Sequence, residues 1–197
     1  WALRFADASL KCDREVVFAA VTQYGSALQY ADKSLTRDRD VVLAAVKQDG
    51  CALQCADDNL KRDRDVVLAA VMQNGRASKY ADESFQRDRD VVMTAVAQNG
   101  YALKFADDRF KRDRDVVLTA IAHKHCNALK YADDRLKRDR DLVLKAVTQT
   151  GWLLRYVDAS LRGDHDVVSA ALAQDGLAVE YADEEYSTAS EYTSDDD

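Results

Sequence analysis

The chain has 197 residues, of which 47% are hydrophobic and 32% are charged, with seven glycines and no proline. Its formal charge of −7 comes from its end, because residues 183–197 hold seven acids and no base, while residues 1–182 balance at 28 acids and 28 bases. A neutral body lacks the basic excess typical of nucleic-acid binders, and no apolar run reaches the roughly 18 residues that a membrane-spanning helix needs.

Near-copies of the segment Arg62–Gly75 recur along the chain at intervals of 25 residues, with one interval of 26. A period of this length predicts a helical repeat array, in which each repeat packs mainly on its neighbours. We place a half repeat at 1–10 and full repeats at 11–35, 36–60, 61–85, 86–110, 111–136, 137–161 and 162–186. Residues 187–197 are acidic and polar, which predicts a disordered tail. Because the chain starts inside a repeat, we expect a longer array in which any targeting segment lies outside this sequence.

Each repeat begins with a predicted helix whose ends are legible in the second full repeat. Asp38 is a suitable N-cap, and Asp40 adds negative charge to the first turn, where the helix dipole favours it. The apolar residues Val41, Val42, Ala45 and Val46 form one buried stripe. Gly50 is interpreted as a left-handed residue that ends the helix.

A second, shorter helix is predicted at Cys51–Ala56, with Ala52, Leu53 and Ala56 pointing inward. Asp57 and its counterparts in other repeats are expected to cap the turn that follows. Neither helix would be stable alone, since isolated helices under about 12 residues are marginal in water. The predicted fold is therefore all-α, an α-solenoid of about seven 25-residue helix-turn-helix repeats after a half repeat.

The repeat pattern Val-Val-x-Ala-Ala-Val-x-Gln-x-Gly-x-Ala-Leu-x-Tyr-Ala-Asp is legible at 16–32, 41–57 and 91–107. It resembles the repeat known as domain of unknown function 4116, which is found mainly in protist and algal proteins. The resemblance covers residues 1 to about 186 and implies no activity, cofactor or catalytic residue. The repeat at 111–136 departs from the pattern at Gln-x-Gly, and the repeat at 162–186 has His165 where others have arginine.

Two recurrent columns invite functional interpretations. Arg-Asp-Arg-Asp blocks predict a ladder of ion pairs that sets the stacking register, with a phosphate or acidic-partner surface as the alternative; that surface would use Arg37, Arg62, Arg87, Arg112 and Arg138. Nucleic-acid binding is disfavoured because an aspartate stands beside each of these arginines. The aromatic column is interpreted as core with hydroxyls at the rim; it comprises Phe5, Tyr30, Tyr80, Phe105, Tyr131, Tyr156 and Tyr181.

Metal, disulfide and catalytic chemistry find little support in the pattern. His123, His125 and Cys126 form one local set with ligand chemistry, but no nearby His or Cys supplies a fourth ligand, so no metal and no cofactor are expected. Four cysteines do not make a disulfide framework, which predicts free thiols in an intracellular, reducing compartment, either cytoplasm or organelle. No catalytic constellation is present, and we expect no enzyme.

The residue that opens the second helix changes from repeat to repeat while its neighbours hardly change. Arg76, Tyr101 and Trp152 occupy this position, and they are residue types that dominate interface energetics. We therefore expect a non-enzymatic scaffold or a structural linker subunit of a larger assembly, such as an organellar or algal membrane complex, with more than one protein partner. The alternative is a soluble module that recognises one peptide or protein.

Overall fold

A computed structural model describes residues 2–123, 127–184 and 186 of the chain. Its described residues form helices and turns and contain no strand. The long α-helices are Arg14–Gln23, Arg39–Gln48, Arg64–Gln73, Arg89–Gln98, Arg114–Ile121, Arg140–Gln149 and His165–Gln174. The predicted tail and the predicted ligands His125 and Cys126 lie outside the described residues.

Shorter elements follow each long helix. Short helices with 3₁₀ geometry span Gly25–Tyr30, Gly50–Cys55, Gly75–Tyr80, Gly100–Phe105, Gly151–Tyr156 and Gly176–Tyr181, and an α-turn spans Ala128–Tyr131. The next long helix is reached through 3₁₀ turns at Leu35–Arg37, Leu60–Arg62, Glu83–Arg87 and Ala159–Leu161, or through α-turns at Asp108–Lys111 and Asp134–Lys137. The chain starts with two further α-turns, Ala2–Phe5 and Ala8–Cys12.

The chain divides into two compact units, Trp1–Asp107 and Asp108–Asp197. We call them the N-terminal and C-terminal units. In the N-terminal unit each long helix packs on the next long helix, and each short helix packs on the next short helix. In the C-terminal unit Arg140–Gln149 packs on His165–Gln174 in the same way. Each unit is thus a stack of two-helix repeats, and the predicted all-α solenoid fold is confirmed.

The long helices form as the sequence predicts. The Asp38 carboxylate accepts hydrogen bonds from the backbone N–H groups of Asp40 and Val41 at 3.0 and 3.1 Å, which satisfies two of the free donors at the helix start. The predicted apolar stripe is fully buried; Val41, Val42, Ala45 and Val46 each have 0% exposure. The core therefore lies between the long and the short helices of successive repeats.

The short helices differ from the prediction in their geometry. Ala52 N–H bonds to the carbonyl oxygen of Asp49 at 2.9 Å, and Ala56 N–H bonds to that of Leu53 at 3.1 Å, which are the i→i+3 bonds of a 3₁₀ helix. The segment has six residues, which is longer than the roughly three or four residues that a 3₁₀ helix usually spans. The inward residues Ala52, Leu53 and Ala56 are buried as predicted, at 1%, 0% and 5% exposure.

The interpretation of the repeat glycine as a left-handed helix end is wrong. The long helix ends in extended backbone at Asp49, and Gly50 starts the short helix. A Cβ on Gly50 would lie 2.3 Å from the carbonyl oxygen of Ala70, in the next repeat. The Gly50 N–H also donates to Oε1 of Gln73 at 2.6 Å. Glycine is required here because two repeats approach each other backbone to backbone.

Two ladders of ion pairs recur along the chain, as the sequence predicts, and the first of them joins successive repeats. In the first, Arg39 Nε lies 2.7 Å from Asp63 and its Nη2 lies 2.8 Å from Asp65. Equivalent pairs are Arg14 with Asp38 and Asp40, Arg64 with Asp88 and Asp90, Arg114 with Asp139, and Arg140 with Asp164 and Asp166. At each of these junctions the same arginine position pairs with the same aspartate position of the next repeat, and the pairs therefore fix the register of stacking.

The second ladder uses the other arginine of each block. Arg62 Nε donates to Asp82 at 2.9 Å, and Asp82 also accepts from the Ser84 N–H at 3.1 Å, so one carboxylate caps its own turn and binds the preceding turn, Leu60–Arg62. The backbone adds to this junction, since Asp82 N–H bonds to the Lys61 carbonyl oxygen at 3.0 Å. Equivalent pairs are Arg37–Asp57, Arg87–Asp107, Arg112–Asp133 and Arg138–Asp158.

Candidate interaction surface

Two of the predicted partner-binding residues meet on one surface of the N-terminal unit. Arg76 is the second residue of the short helix Gly75–Tyr80, and Tyr101 is the second residue of the next one, Gly100–Phe105. The Arg76 guanidinium carbon lies 5.3 Å from the centre of the Tyr101 ring, within the range of a cation–π contact. Residues at the variable position of neighbouring repeats are therefore in direct contact.

Lys104 and Phe105 extend this contact along the second short helix. The Lys104 ammonium lies 5.5 Å from the Tyr101 ring and 5.7 Å from the Phe105 ring, and it donates to the Tyr101 hydroxyl at 3.2 Å. The two rings meet edge to face with centres 5.8 Å apart. Such aromatic pairs add about 0.5–1.5 kcal/mol beyond the burial of their area. Tyr101 is thus held between a guanidinium, an ammonium and a second ring.

A third cation lies on the first of these short helices. The Lys79 ammonium is 4.5 Å from the centre of the Tyr80 ring, and its hydrogen bond with Tyr80 raises the pKa of Lys79. We call the whole set the cation–aromatic cluster; it consists of Arg76, Lys79, Tyr80, Tyr101, Lys104 and Phe105. Its three cations are exposed and its three rings are half-buried.

The caps of these two short helices hold the cluster in place without adding negative charge. The Asn74 side-chain oxygen accepts from the Arg76 N–H at 3.0 Å, and Asn99 accepts from the Tyr101 N–H at the same distance. In the preceding repeat the cap is an aspartate, Asp49. Asparagine and aspartate cap helices about equally well, so the difference is one of charge rather than of capping.

In the C-terminal unit the third predicted residue, Trp152, lies in its own aromatic group. The Trp152 and Tyr156 rings meet edge to face at 6.1 Å. The Arg155 guanidinium lies 5.2 Å from the Tyr156 ring and 5.4 Å from the Tyr181 ring, so that one cation bridges the aromatic residues of two repeats. This unit therefore repeats the motif of interleaved cations and rings.

The aromatic column is not the core that the sequence suggested. Tyr30, Tyr80, Phe105 and Tyr156 are half-buried, and Phe5 is 80% exposed. The buried positions next to them are taken by alanine and leucine, which leaves one side of each ring at the surface. The column consequently contributes to the surface of the short helices as well as to packing.

Sequence reasoning missed the residue that precedes each column aromatic. That position is held by Arg4, Gln29, Lys79, Lys104, Lys130, Arg155 and Glu180. Most of these are cations, and a basic side chain beside a partly exposed ring is the signal that predicts cation–π contacts. The sequence analysis did not predict these cation–π contacts because it assigned the rings to the core, where exposed cations would not reach them.

A second missed feature lies beneath the cluster. Leu28, Leu53 and Leu103 are fully buried at one recurring position of the short helices, but Ser78 takes that position in the repeat at 61–85. A cavity of about 10 Å³ results, lined by Ser78, Phe105 and neighbouring apolar side chains, and its volume admits about one water molecule. The Ser78 hydroxyl donates to the Gly75 carbonyl oxygen at 2.9 Å.

Metal and disulfide chemistry can be assessed for the described residues. They contain no group of three or more His, Cys, Asp or Glu able to hold a metal ion, and His123 alone of the predicted ligands is described. Cys12, Cys51 and Cys55 are in no disulfide. Burial raises the pKa of the Cys51 and Cys55 thiols, which favours their uncharged form.

Comparison with known proteins assigns the chain to a repeat family. A family model described as "Domain of unknown function (DUF4116)" matches residues 1–36, 38–86, 88–137, 122–162 and 139–187. The chain belongs to the DUF4116 family. Neither the curated proteins nor the solved structures contain a match to this DUF4116 chain. In the part of the chain that the structure describes, no helix is long and apolar enough to cross a membrane.

Proposed function

We propose that this DUF4116 array is a non-enzymatic protein-interaction scaffold or linker subunit that holds other proteins through the exposed side of its short helices. The contact between Arg76 and Tyr101 carries the proposal, since it joins the variable positions of two neighbouring repeats. Aromatic and arginine side chains of this kind supply most of the binding energy at protein interfaces.

The constancy of the framework residues supports a binding role for the residues that vary. Caps, ladders and glycine junctions repeat almost unchanged along each unit, so the fold does not depend on which residue stands at the variable position. In a stack of repeats, the surface that varies is free to match partners while the stacking stays the same. A linker subunit that contacts several proteins, such as one in an organellar or algal membrane complex, would use this property along its length.

A soluble recognition module that binds one protein is the second candidate. It is favoured by the restriction of the cluster to two neighbouring short helices of the N-terminal unit. Nucleic-acid binding through the arginine columns is disfavoured, because Arg37, Arg62 and Arg87 each pair with an aspartate 20 residues further along the chain at 2.9–3.1 Å. Those guanidinium groups already have an anionic partner.

The test is isolation of the chain with its native partners under mild conditions, comparing the unchanged protein with Tyr101→Ala and Trp152→Ala. Phe18→Ala is the matched control, since Phe18 is an exposed aromatic residue, 39% accessible, on a long helix. Proteins that bind the unchanged chain and Phe18→Ala but are lost from Tyr101→Ala or Trp152→Ala support the proposal.

The same isolation distinguishes the linker subunit from the recognition module. Recovery in a large assembly favours the linker, and recovery with one stoichiometric partner favours the recognition module. An identical set of proteins on all variants would contradict a role for the short-helix surface, and turnover of a small molecule by the purified chain would contradict the non-enzymatic assignment.

A further inference from the structure

We propose that the cation–aromatic cluster of the N-terminal unit binds an acidic peptide segment of a partner protein. The inference rests on the interaction role proposed above and adds the chemistry of the partner. It follows from the charge of the cluster, from the absence of an ion-pair partner for its cations among the described residues, and from the extent of the patch within the N-terminal unit.

The cations of the cluster differ from the arginines of the ladders. Ladder arginines such as Arg39 and Arg64 each contact two carboxylates of the next repeat. Among the described residues, no carboxylate lies within ion-pair distance of Arg76, Lys79 or Lys104. The ladders therefore neutralise their own charge, and the cluster presents three positive charges to solvent.

The surroundings keep this positive charge concentrated. Asn74 and Asn99 cap the two short helices without a carboxylate. The neighbouring short helices within the unit carry uncharged side chains at the equivalent positions, namely Ser26, Gln29, Cys51 and Gln54. In a chain whose body is neutral, these substitutions create a local positive patch that can attract an acidic partner.

The aromatic rings restrict the conformations of the basic side chains before a partner binds. Each ammonium or guanidinium group lies over an aromatic face, which limits the rotamers that long basic side chains must lose when a carboxylate binds. The half-buried Tyr101 and Phe105 rings also offer apolar contact between the charges. An acidic segment that carries an aromatic or aliphatic side chain matches this mixture of charge and apolar surface better than a purely charged chain.

The extent of the patch distinguishes a peptide from a nucleic acid. A nucleic acid is bound along a continuous basic stripe that follows its phosphates. Within the N-terminal unit the positive patch spans two short helices, and it ends at uncharged residues on its N-terminal side, at Cys51 and Gln54. A peptide of a few acidic residues fits this length.

The experiment measures binding of a labelled synthetic peptide, Glu-Glu-Glu-Tyr-Glu-Glu-Glu, to the full chain by fluorescence anisotropy. We expect saturable binding at low salt that weakens at physiological salt, because screening acts over about 8–10 Å. The double variant Arg76→Gln with Lys104→Gln should weaken binding at least about tenfold. The control, Lys33→Gln with Lys47→Gln, removes the same charge from exposed lysines elsewhere in the unit and should change it less than about twofold.

Two results would overturn the proposal: absence of saturable binding to the unchanged chain, or equal weakening in the cluster and control variants, which would mean general charge attraction. Tighter binding of a single-stranded oligothymidine, lost in the same cluster variant, would also overturn it by making a nucleic acid the ligand. Circular dichroism of each variant confirms that it is folded.

Isolation of native partners with these variants distinguishes failure of acidic recognition from failure of the interaction role on which it rests. Partners lost from Tyr101→Ala but kept by Arg76→Gln with Lys104→Gln would contradict acidic recognition and leave the interaction role standing. Partners kept by both variants and by Trp152→Ala would contradict both. Loss from the cluster variants alone, with the lysine control unaffected, supports both.

Discussion

Two pairs of short helices in the N-terminal unit can be compared directly. Gly25–Tyr30 and Gly50–Cys55 present serine, cysteine and glutamine at their second and fifth residues, whereas Gly75–Tyr80 and Gly100–Phe105 present arginine, tyrosine and lysine there. The two pairs have the same 3₁₀ geometry and follow long helices capped in the same way. The comparison indicates that one set of positions determines the framework of this array and a different set determines its surface.

The largest expected effect comes from breaking the glycine junction that both pairs share. Gly50→Ala places a Cβ 2.3 Å from the Ala70 carbonyl oxygen, and Gly75→Ala places one 2.1 Å from that of Ala95. Neither backbone atom can move without shifting a repeat, so each variant should lose about 3 kcal/mol of unfolding free energy. Urea unfolding measures the loss.

Gly176→Ala is the matched control for these variants, because nothing lies within 4 Å of a Cβ built there. We expect that variant to unfold within about 0.5 kcal/mol of the unchanged chain or to be slightly stabilised. If Gly50→Ala were as stable as Gly176→Ala, the close approach of the repeats would not be the reason for glycine at this position.

A smaller effect is expected from the core beneath the two pairs, where Leu53 and Ser78 are equivalent. Ser78→Leu fills the cavity beside Phe105 with the residue that the first pair carries at this position. It also loses the hydrogen bond from the Ser78 hydroxyl to Gly75, which offsets part of the gain. We expect net stabilisation of about 1 kcal/mol.

The measurement is again the free energy of urea unfolding, with Ser78→Ala as the control that removes the hydroxyl without filling the space. Ser78→Leu should be the more stable of the two variants. The reverse order would mean that the space beneath the cluster cannot accept a leucine, and that the two pairs differ in backbone as well as in surface.

The smallest effect concerns the second ladder at low pH. Arg62, the largest contributor, and Ser84 together lower the pKa of Asp82 to about 2. Because this pKa lies below the ordinary value of 3.8, the ionised form stabilises the fold above that value. The contribution is lost as pH falls from about 3.8 through about 2.

Asp82→Asn should therefore flatten the loss of stability in that pH range and leave the slope between about pH 5 and 8 unchanged. Ser84→Ala, which removes a hydrogen bond to the Asp82 carboxylate, should shift the same loss to higher pH. Unfolding midpoints measured at a series of pH values test both. An unchanged acid slope in Asp82→Asn would mean that this ladder contributes nothing measurable to stability.

The sequence predicts the framework well because its signals are local. Asp38 determines where the helix starts, and Val41, Val42 and Ala45 determine its buried face; neither depends on the sequence of neighbouring repeats. Gly50 was misinterpreted because glycine after a helix fits both a left-handed cap and a close approach, and only the position of Ala70 distinguishes them.

The candidate surface was predicted only in part, for a similar reason. Arg76 and Tyr101 stand out by variation at one position, but their contact depends on how neighbouring short helices stack. Lys79 and Lys104 follow no pattern of variation; they become significant only once the rings of Tyr80 and Phe105 are known to be half exposed. Contacts between repeats are not encoded within one repeat.

Moving the cluster onto the first pair of short helices tests the separation of framework and surface most directly. The graft consists of Ser26→Arg, Gln29→Lys, Asp49→Asn, Cys51→Tyr, Gln54→Lys and Cys55→Phe. Calorimetric titration with the acidic probe peptide should then show a second site, in a chain whose unfolding free energy changes by less than about 1 kcal/mol. A folded graft that still binds the peptide at one site, or a graft that no longer folds, would contradict the account.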